Sequence, residues 1–250
     1  MLCSLHPKSV FGYSALSKES YPVDLADSNA RFALRNGASA VVFYSDLGSL
    51  NMFDGVYTAI ITPFKNGAVD LNALRRLIER QIDAGIDGLV ACGTTGESAT
   101  LSEEETLTVI NETISAANGR VKVIAGVGSN NTAKTIRMGQ RASELGADGL
   151  LVITPYYNKP TQQGLINHFK AVSDAIPTCK IMLYNVPGRT GVSLSLDSVK
   201  LLSEVPNIVA LKEATGDMAF AARIVADCGS DLTVLSGDDI TALPLWAIGG

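Results

Sequence analysis

Gly149-Leu150-Leu151-Val152-Ile153-Thr154-Pro155-Tyr156-Tyr157 runs apolar without alternation and then ends on hydroxyl-bearing side chains. An unbroken Leu/Val/Ile run suits a strand buried on both faces, because both rows of side chains then meet apolar neighbours. Similar runs recur at 56–64, 88–96, 121–128, 180–187, 208–215 and 232–237. Helical periods fill the gaps. Leu71, Leu74, Leu77, Ile78 and Ile82 mark one face behind an Asp70 cap, and Gly85 stops that helix. Ser102 and Glu105 have capping-box spacing ahead of Leu107, Ile110, Ile114 and Ala117. Leu165, Ile166, Phe169, Val172 and Ile176 mark a further face, closed by Pro177. One strand and one helix per roughly thirty residues is the pattern of a parallel α/β fold.

A doubly wound sheet and a (β/α)8 TIM barrel both fit that alternation. The first gathers its chemistry at one switch point, whereas a barrel builds its site from the C-terminal ends of many strands. Thr62, Thr94 and Thr95, Ser129 and Asn130, Tyr156 and Tyr157, Tyr184, Lys212, Ser236 and Asp238 all stand at ends of apolar runs. That spread predicts the barrel over residues 52–250. Residues 1–51 lack the repeat and read as an N-terminal extension, poorly ordered, with only 38–44 strand-like.

An apolar fraction of 46% is ample for a core. The formal charge of −5 argues against nucleic acid or an anionic membrane as a partner. No run of about 18 apolar residues is present to span a bilayer. Cys3, Cys92, Cys179 and Cys228 are scattered without a CxxC pair and read as free thiols of a cytoplasmic protein. Only His6 and His168 are available, which disfavours a histidine metal site or a Ser-His-Asp triad. The early serines suggest a transit peptide, but Glu19, Asp24 and Asp27 speak against one. The absence of GxxxxGK[ST] and GxGxxG leaves nucleotide chemistry without support.

Lys212 lies in Val209-Ala210-Leu211-Lys212-Glu213-Ala214, inside an apolar run. A free lysine has a pKa of about 10.4 and little neutral amine at physiological pH, and burial lowers that value. Schiff-base lysines need this depression. The competing reading pairs Lys212 with Glu213, although strand alternation turns Glu213 to the other face. Tyr184 can move protons if hydroxyls relay them, and Arg189 offers a planar fork suited to a carboxylate. Taken singly, each defaults to a buried tyrosine or a surface arginine. Cys92-Gly93-Thr94-Thr95-Gly96-Glu97-Ser98 offers hydroxyls and clustered backbone N–H groups, a plausible carboxylate cradle.

Four blocks in this order and spacing resemble the dihydrodipicolinate synthase and N-acetylneuraminate lyase family: Gly93 to Ser98, Tyr156-Tyr157-Asn158, Tyr184 to Gly191, and Lys212 to Gly216. Arg189 in its Gly188-Arg189-Thr190-Gly191 context and Tyr157 after Tyr156 are similar to the synthase branch. The resemblance implies a lyase that condenses pyruvate with L-aspartate 4-semialdehyde, in lysine (diaminopimelate) biosynthesis. Lys212 forms the Schiff base, Tyr184 is the proton donor and acceptor, and Thr94 with Tyr157 completes a proton relay. Tyr157 comes from the neighbouring subunit of a homodimer or homotetramer, Thr95 and Arg189 bind substrate carboxylates, and neither metal nor cofactor is required. A pyruvate aldolase acting on a sugar acid is the alternative, and an inactive fragment is another. The family's lysine effector site matches Ser98, Ala99, Asn130 and Tyr156, with Glu103, Thr106 and Lys134 at its remaining positions, so weak or absent lysine inhibition is expected. The family places strand eight and a helical domain after a Gly-Gly pair like Gly249-Gly250. The expectation is therefore a C-terminally truncated barrel of seven strands with little activity of its own.

Overall fold

The computed structural model describes residues 52–250 in full and, upstream, the backbone of residues 30–36 and 39–44. That upstream backbone is an antiparallel hairpin of β1 (Ala30–Asn36) and β2 (Ser39–Tyr44), with Asn36 opposite Ser39. The strand-like run 38–44 thus falls largely in β2, and the hairpin belongs to a compact unit separate from the one beginning at Asn51. β1 lies outside the run read as strand-like, a strand the sequence reading did not single out, and the rest of the expectation for residues 1–51 falls outside the described residues.

The larger unit runs β3 (Tyr57–Ala59), β4 (Phe64–Lys65), β5 (Ala68–Val69), α1 (Leu71–Asp83), β6 (Gly88–Ala91), α2 (Glu103–Ala117), β7 (Lys122–Gly126) and α3 (Thr132–Glu144). It continues with β8 (Gly149–Ile153), α4 (Gln162–Ala175), β9 (Lys180–Asn185), α5 (Pro187–Thr190), α6 (Leu196–Ser203), β10 (Ile208–Glu213), α7 (Met218–Cys228), β11 (Thr233–Ser236) and α8 (Asp239–Ala247). Seven of these strands form one sheet in the order β3-β6-β7-β8-β9-β10-β11, every neighbouring pair parallel. Spatial order follows chain order without reversal, so the sheet has no switch point. This is the winding of a (β/α) barrel, here with seven strands.

The helix signals work as read. Asp70 accepts from the Ala73 N–H at 3.0 Å, and Ser102 with Glu105 forms the reciprocal capping box at 3.1 and 2.8 Å. The strands are shorter than the apolar runs, because each run continues into the loop beyond its strand. The run 56–64 differs most, being sheet only over Tyr57–Ala59. Pro63 has no N–H to continue the ladder, and its carbonyl accepts from Asp70 instead, at 2.7 Å. The chain then turns at Asn66-Gly67, both with positive φ (55° and 80°), into the β4–β5 hairpin.

Strand alternation divides the core into two clusters. Leu89, Ala91, Leu150, Val152, Ile181, Leu183 and Leu211 meet the helices. Val90, Ile124, Leu151, Met182, Tyr184 and Ala210 gather on the inner face with Phe53 and Tyr57. Phe53 and Tyr57 meet edge to face, 6.3 Å between ring centroids, at the N-terminal end of the strands. Two glycines make room for them. A Cβ on Gly149 would stand 2.5 Å from Phe53 Cζ, and one on Gly88 would stand 2.1 Å from Tyr57 Cε1. Beside each glycine an aspartate secures a neighbouring strand: Asp87 accepts from the Val56 N–H at 2.7 Å and Asp148 from the Val123 N–H at 2.8 Å.

This aromatic floor makes Gly149 a packing residue. Gly149→Ala should lower unfolding free energy by about 1–3 kcal/mol, the usual cost of overpacking. Gly188→Ala, whose Cβ would meet nothing within 4 Å, should change it by less than about 0.5 kcal/mol. Urea denaturation midpoints compare the two, and equal midpoints would contradict the packing described.

Candidate active site

Lys212 is the penultimate residue of β10 and stands in register with Tyr184, the penultimate residue of β9. Both side chains point to the inner face, and Lys212 Nζ lies 4.6 Å from the centroid of the Tyr184 ring. The tyrosine is buried and the lysine partly buried. Burial pulls the Lys212 amine below its ordinary value, and the nearby Arg189 charge adds to this, while Asp239 acts in the opposite sense. Glu213 is no counter-ion. It faces the helix side, where it accepts from Asn185 Nδ2 at 3.0 Å and from the Thr215 N–H at 2.6 Å. Among the described residues Lys212 forms no ion pair. Gly237, after β11, closes in on the lysine stem: a Cβ there would stand 2.9 Å from Lys212 Cε.

Thr94 and Thr95 are exposed on the tight turn after β6. Thr62 holds that turn by donating to the Gly96 carbonyl at 2.6 Å. Its first residue, Cys92, has a φ of 54°, and the close pass is possible because Gly126 has no Cβ, which would stand 2.1 Å from the Cys92 carbonyl oxygen. Burial pushes the Cys92 thiol up to about 12, which disfavours the thiolate. Arg189 sits exposed in α5, whose last residue, Thr190, accepts from the Thr154 hydroxyl at 3.2 Å.

Thr94 and Arg189 line one cleft of about 370 Å³, together with Tyr156 and Ile153. Tyr157 does not line it: the side chain is 89% exposed on a backbone with φ 71°. Tyr184, Thr94 and Tyr157 make no hydrogen bond to one another among the described residues, and Thr95 stands apart from the cleft lining. The same cleft gathers Ser98, Ala99, Glu103, Thr106 and Lys134. Lys134 Nζ is 3.6 Å from Glu103, which Arg137 also contacts at 2.8 Å. The Arg137 hydrogen bond, aided by the Lys134 charge, holds the Glu103 carboxyl below its ordinary value. Asn130, read with this group, does not line the cleft; its carbonyl accepts from Asn158 Nδ2 at 3.4 Å. Among the described residues no group of three or more His, Cys, Asp or Glu side chains is placed to hold a metal ion, and no helix is long and apolar enough to cross a membrane.

Reading residues singly missed two features. Gly237 carries no chemical group, so nothing marked it as a neighbour of Lys212. Asn185 lies inside a quoted block, but its partner Glu213 is 28 residues away and is revealed only by strand register.

Residues 52–250 match the model of the Dihydrodipicolinate synthetase family. The chain is 57% identical over 199 residues to the 4-hydroxy-tetrahydrodipicolinate synthase of Magnetococcus marinus, covering 80% of this chain and 68% of that one. Among solved structures it is similar to dihydrodipicolinate synthase from Aquifex aeolicus, with TM-score 0.77 and 50% identity over 79% of this chain and 68% of that chain. It is similar, too, to the enzyme from Cyanidioschyzon merolae, solved with lysine bound, with TM-score 0.77 and 44% identity over 80% of this chain and 68% of that chain. With a family match across residues 52–250 and this level of identity, the chain belongs to the dihydrodipicolinate synthetase family.

Proposed function

We propose that this chain carries the catalytic residues of a 4-hydroxy-tetrahydrodipicolinate synthase, a lyase that condenses pyruvate with L-aspartate 4-semialdehyde. The observation that carries the reading is the Lys212 amine, depressed by burial, held in no ion pair among the described residues and set against the Tyr184 ring. A neutral amine is the form that attacks a ketone. Lys212 adds to the pyruvate carbonyl carbon, and loss of water gives an imine. The imine accepts the electron pair left when a methyl proton departs, giving an enamine, with Tyr184 as the acid and base. The enamine carbon then bonds to the aldehyde carbon, and the semialdehyde's amine displaces Lys212 as the ring closes. Thr95 and Arg189 are assigned to the carboxylates of pyruvate and the semialdehyde, respectively.

The relay Tyr184–Thr94–Tyr157 needs a second subunit in this reading. Tyr157 projects outward and would serve a neighbour's site, which makes a homodimer the smallest working unit and a homotetramer compatible with it. The buried free thiols Cys92, Cys179 and Cys228 suit a reducing, cytoplasmic setting. The synthase reading is preferred to a sugar-acid aldolase because Arg189 stands near enough for its charge to act on Lys212 and the relatives compared carry the synthase name.

Borohydride with pyruvate should fix a pyruvate-derived mass on Lys212 and not on Lys159 or Lys180, as read by peptide mapping, and Lys212→Ala should abolish it. Reductive methylation of Lys212 with formaldehyde should show the pH dependence of its amine. Removing a nearby positive charge stabilises the ammonium, so Arg189→Ala should move that midpoint to higher pH. An unmoved midpoint would remove Arg189 from the electrostatics of the site.

Tyr184→Phe keeps the ring beneath Lys212 and removes only the hydroxyl. It should lower turnover by about 10²–10⁴-fold, the range for a general acid–base group. Full turnover in this variant would exclude Tyr184 from the proton transfers.

Lysine inhibition should be weak or absent. Lys134 presents an ammonium in the cleft and, with Arg137, already occupies the Glu103 carboxylate, so a further cation is met by like charge. Strong inhibition by sub-millimolar lysine in a steady-state assay would overturn this.

A further inference from the structure

We propose that Asn185 and Glu213 are positioning residues that hold Tyr184 and Lys212 at their working separation. This rests on the reading of Lys212 as the imine-forming lysine. The two pairs are consecutive in register: Tyr184 faces Lys212, and Asn185 faces Glu213. Alternation sends the first pair to the inner face and the second to the helix face. Asn185 is fully buried and Glu213 only 4% exposed.

The Asn185 amide is the side-chain partner of the Glu213 carboxylate. Its Nδ2 donates to Glu213 Oε2 at 3.0 Å, while the Thr215 N–H donates to Oε1 at 2.6 Å. The Asn185 carbonyl oxygen, Oδ1, accepts from the Leu194 N–H at 3.1 Å and from the Ser193 hydroxyl at 3.3 Å. One buried pair therefore joins the ends of β9 and β10 to the segment that follows Arg189. The backbone repeats the tie, with Ala214 N–H donating to Asn185 O at 2.9 Å and Gly237 N–H to Glu213 O at 2.7 Å.

Stability does not explain the choice of residues. A buried carboxylate is costly to desolvate, and apolar side chains of similar volume usually serve a core as well or better. Direction is what an amide–carboxylate pair adds, because its donors and acceptors fit one register only. Loosening it lets Lys212 and Tyr184 shift, and misplacement of reacting groups by about 1 Å can cost about 100-fold.

Substitutions that exchange donors and acceptors test this. In Glu213→Gln the Asn185 and Thr215 donors still address two different positions, and one of those positions now carries an NH2 donor instead of an acceptor. In Asn185→Asp two carboxylates face each other. The double variant Asn185→Asp/Glu213→Gln restores the match, since the new amide donates to the aspartate and still accepts from the Thr215 N–H. The readouts are borohydride trapping of pyruvate, exchange of pyruvate methyl protons with D2O followed by NMR, and melting temperature. Methyl exchange reports enamine formation and needs no second substrate.

Each single variant should lower kcat for exchange by about 10- to 100-fold, with KM for pyruvate within about 3-fold. The double variant should return to within about 3-fold of wild type. Wild-type exchange rates in folded single variants would overturn the proposal, as would a folded double variant that remains at least about 10-fold slow. Should the single variants fail to fold, the double variant alone decides by the same criterion. If the wild-type chain traps no pyruvate on Lys212, the functional reading fails and this inference falls with it. Trapping in wild type together with unimpaired single variants overturns the positioning role alone.

Discussion

Lys212 carries its amine onto the apolar inner face of the sheet, where it lies against the ring of Tyr184 and, among the described residues, in no ion pair. A lysine in such a place commonly acquires an acid partner or gives up its proton, since an unpaired buried ammonium is expensive. The adjacent acid, Glu213, is denied to it by strand alternation and is satisfied on the opposite face by Asn185 and Thr215. Depression of the lysine pKa is the remaining way to relieve the cost, and the resulting lone pair is what nucleophilic chemistry on a ketone requires. Arg189 strengthens the effect through its charge. The lowered pKa of Lys212 is thus a consequence of where β10 places consecutive residues.

That placement depends in turn on a sheet whose spatial order never departs from its chain order. Parallel neighbours about 4.8 Å apart bring the ends of β9 and β10 side by side, so that Tyr184 and Lys212 meet although 28 residues separate them. The opposite end of the strands does different work. There Phe53 and Tyr57 fill the interior, admitted by Gly88 and Gly149, and Asp87 and Asp148 fasten neighbouring strands. The Lys212–Tyr184 pair and the aromatic floor sit at opposite ends of the same strands, matching the division between chemistry and stability that barrels generally show.

The features legible in the sequence were those that reside in local pattern. Apolar runs marked the parallel strands, the Asp70 and Ser102 caps marked helix starts, and polar residues after each run distinguished barrel from doubly wound sheet. Less was legible where geometry depends on a distant neighbour or on backbone sign. The run 56–64 leaves the sheet after Ala59, a departure that hydrophobicity does not register although Pro63 hints at it. Asn66-Gly67 is a strong hairpin signal hidden between two very short strands. Asn185 and Glu213 each read as ordinary polar residues at a strand end, and only the register between β9 and β10 makes them partners. Gly237 offered no signal at all, since its role is to leave room beside Lys212.

Tyr157 shows how backbone conformation can inform a side chain's use. A left-handed φ costs a bulky L-residue roughly 1–2 kcal/mol, and this chain incurs it at Tyr157 and again at Lys159, with φ 71° and 44°. The segment is nonetheless tied down. Asn158 donates to the carbonyls of Tyr156 and Asn130, and the Lys159 stem lies where a Cβ on Gly191 would be 2.9 Å from its Cε. A ring fixed outward at 89% exposure returns nothing to the chain that bears it. Burying such a side chain against another surface is worth about 1.5–3 kcal/mol, enough to offset the strain at that residue. In the homodimer proposed above, that surface would belong to the neighbouring subunit, where Tyr157 would complete the proposed relay.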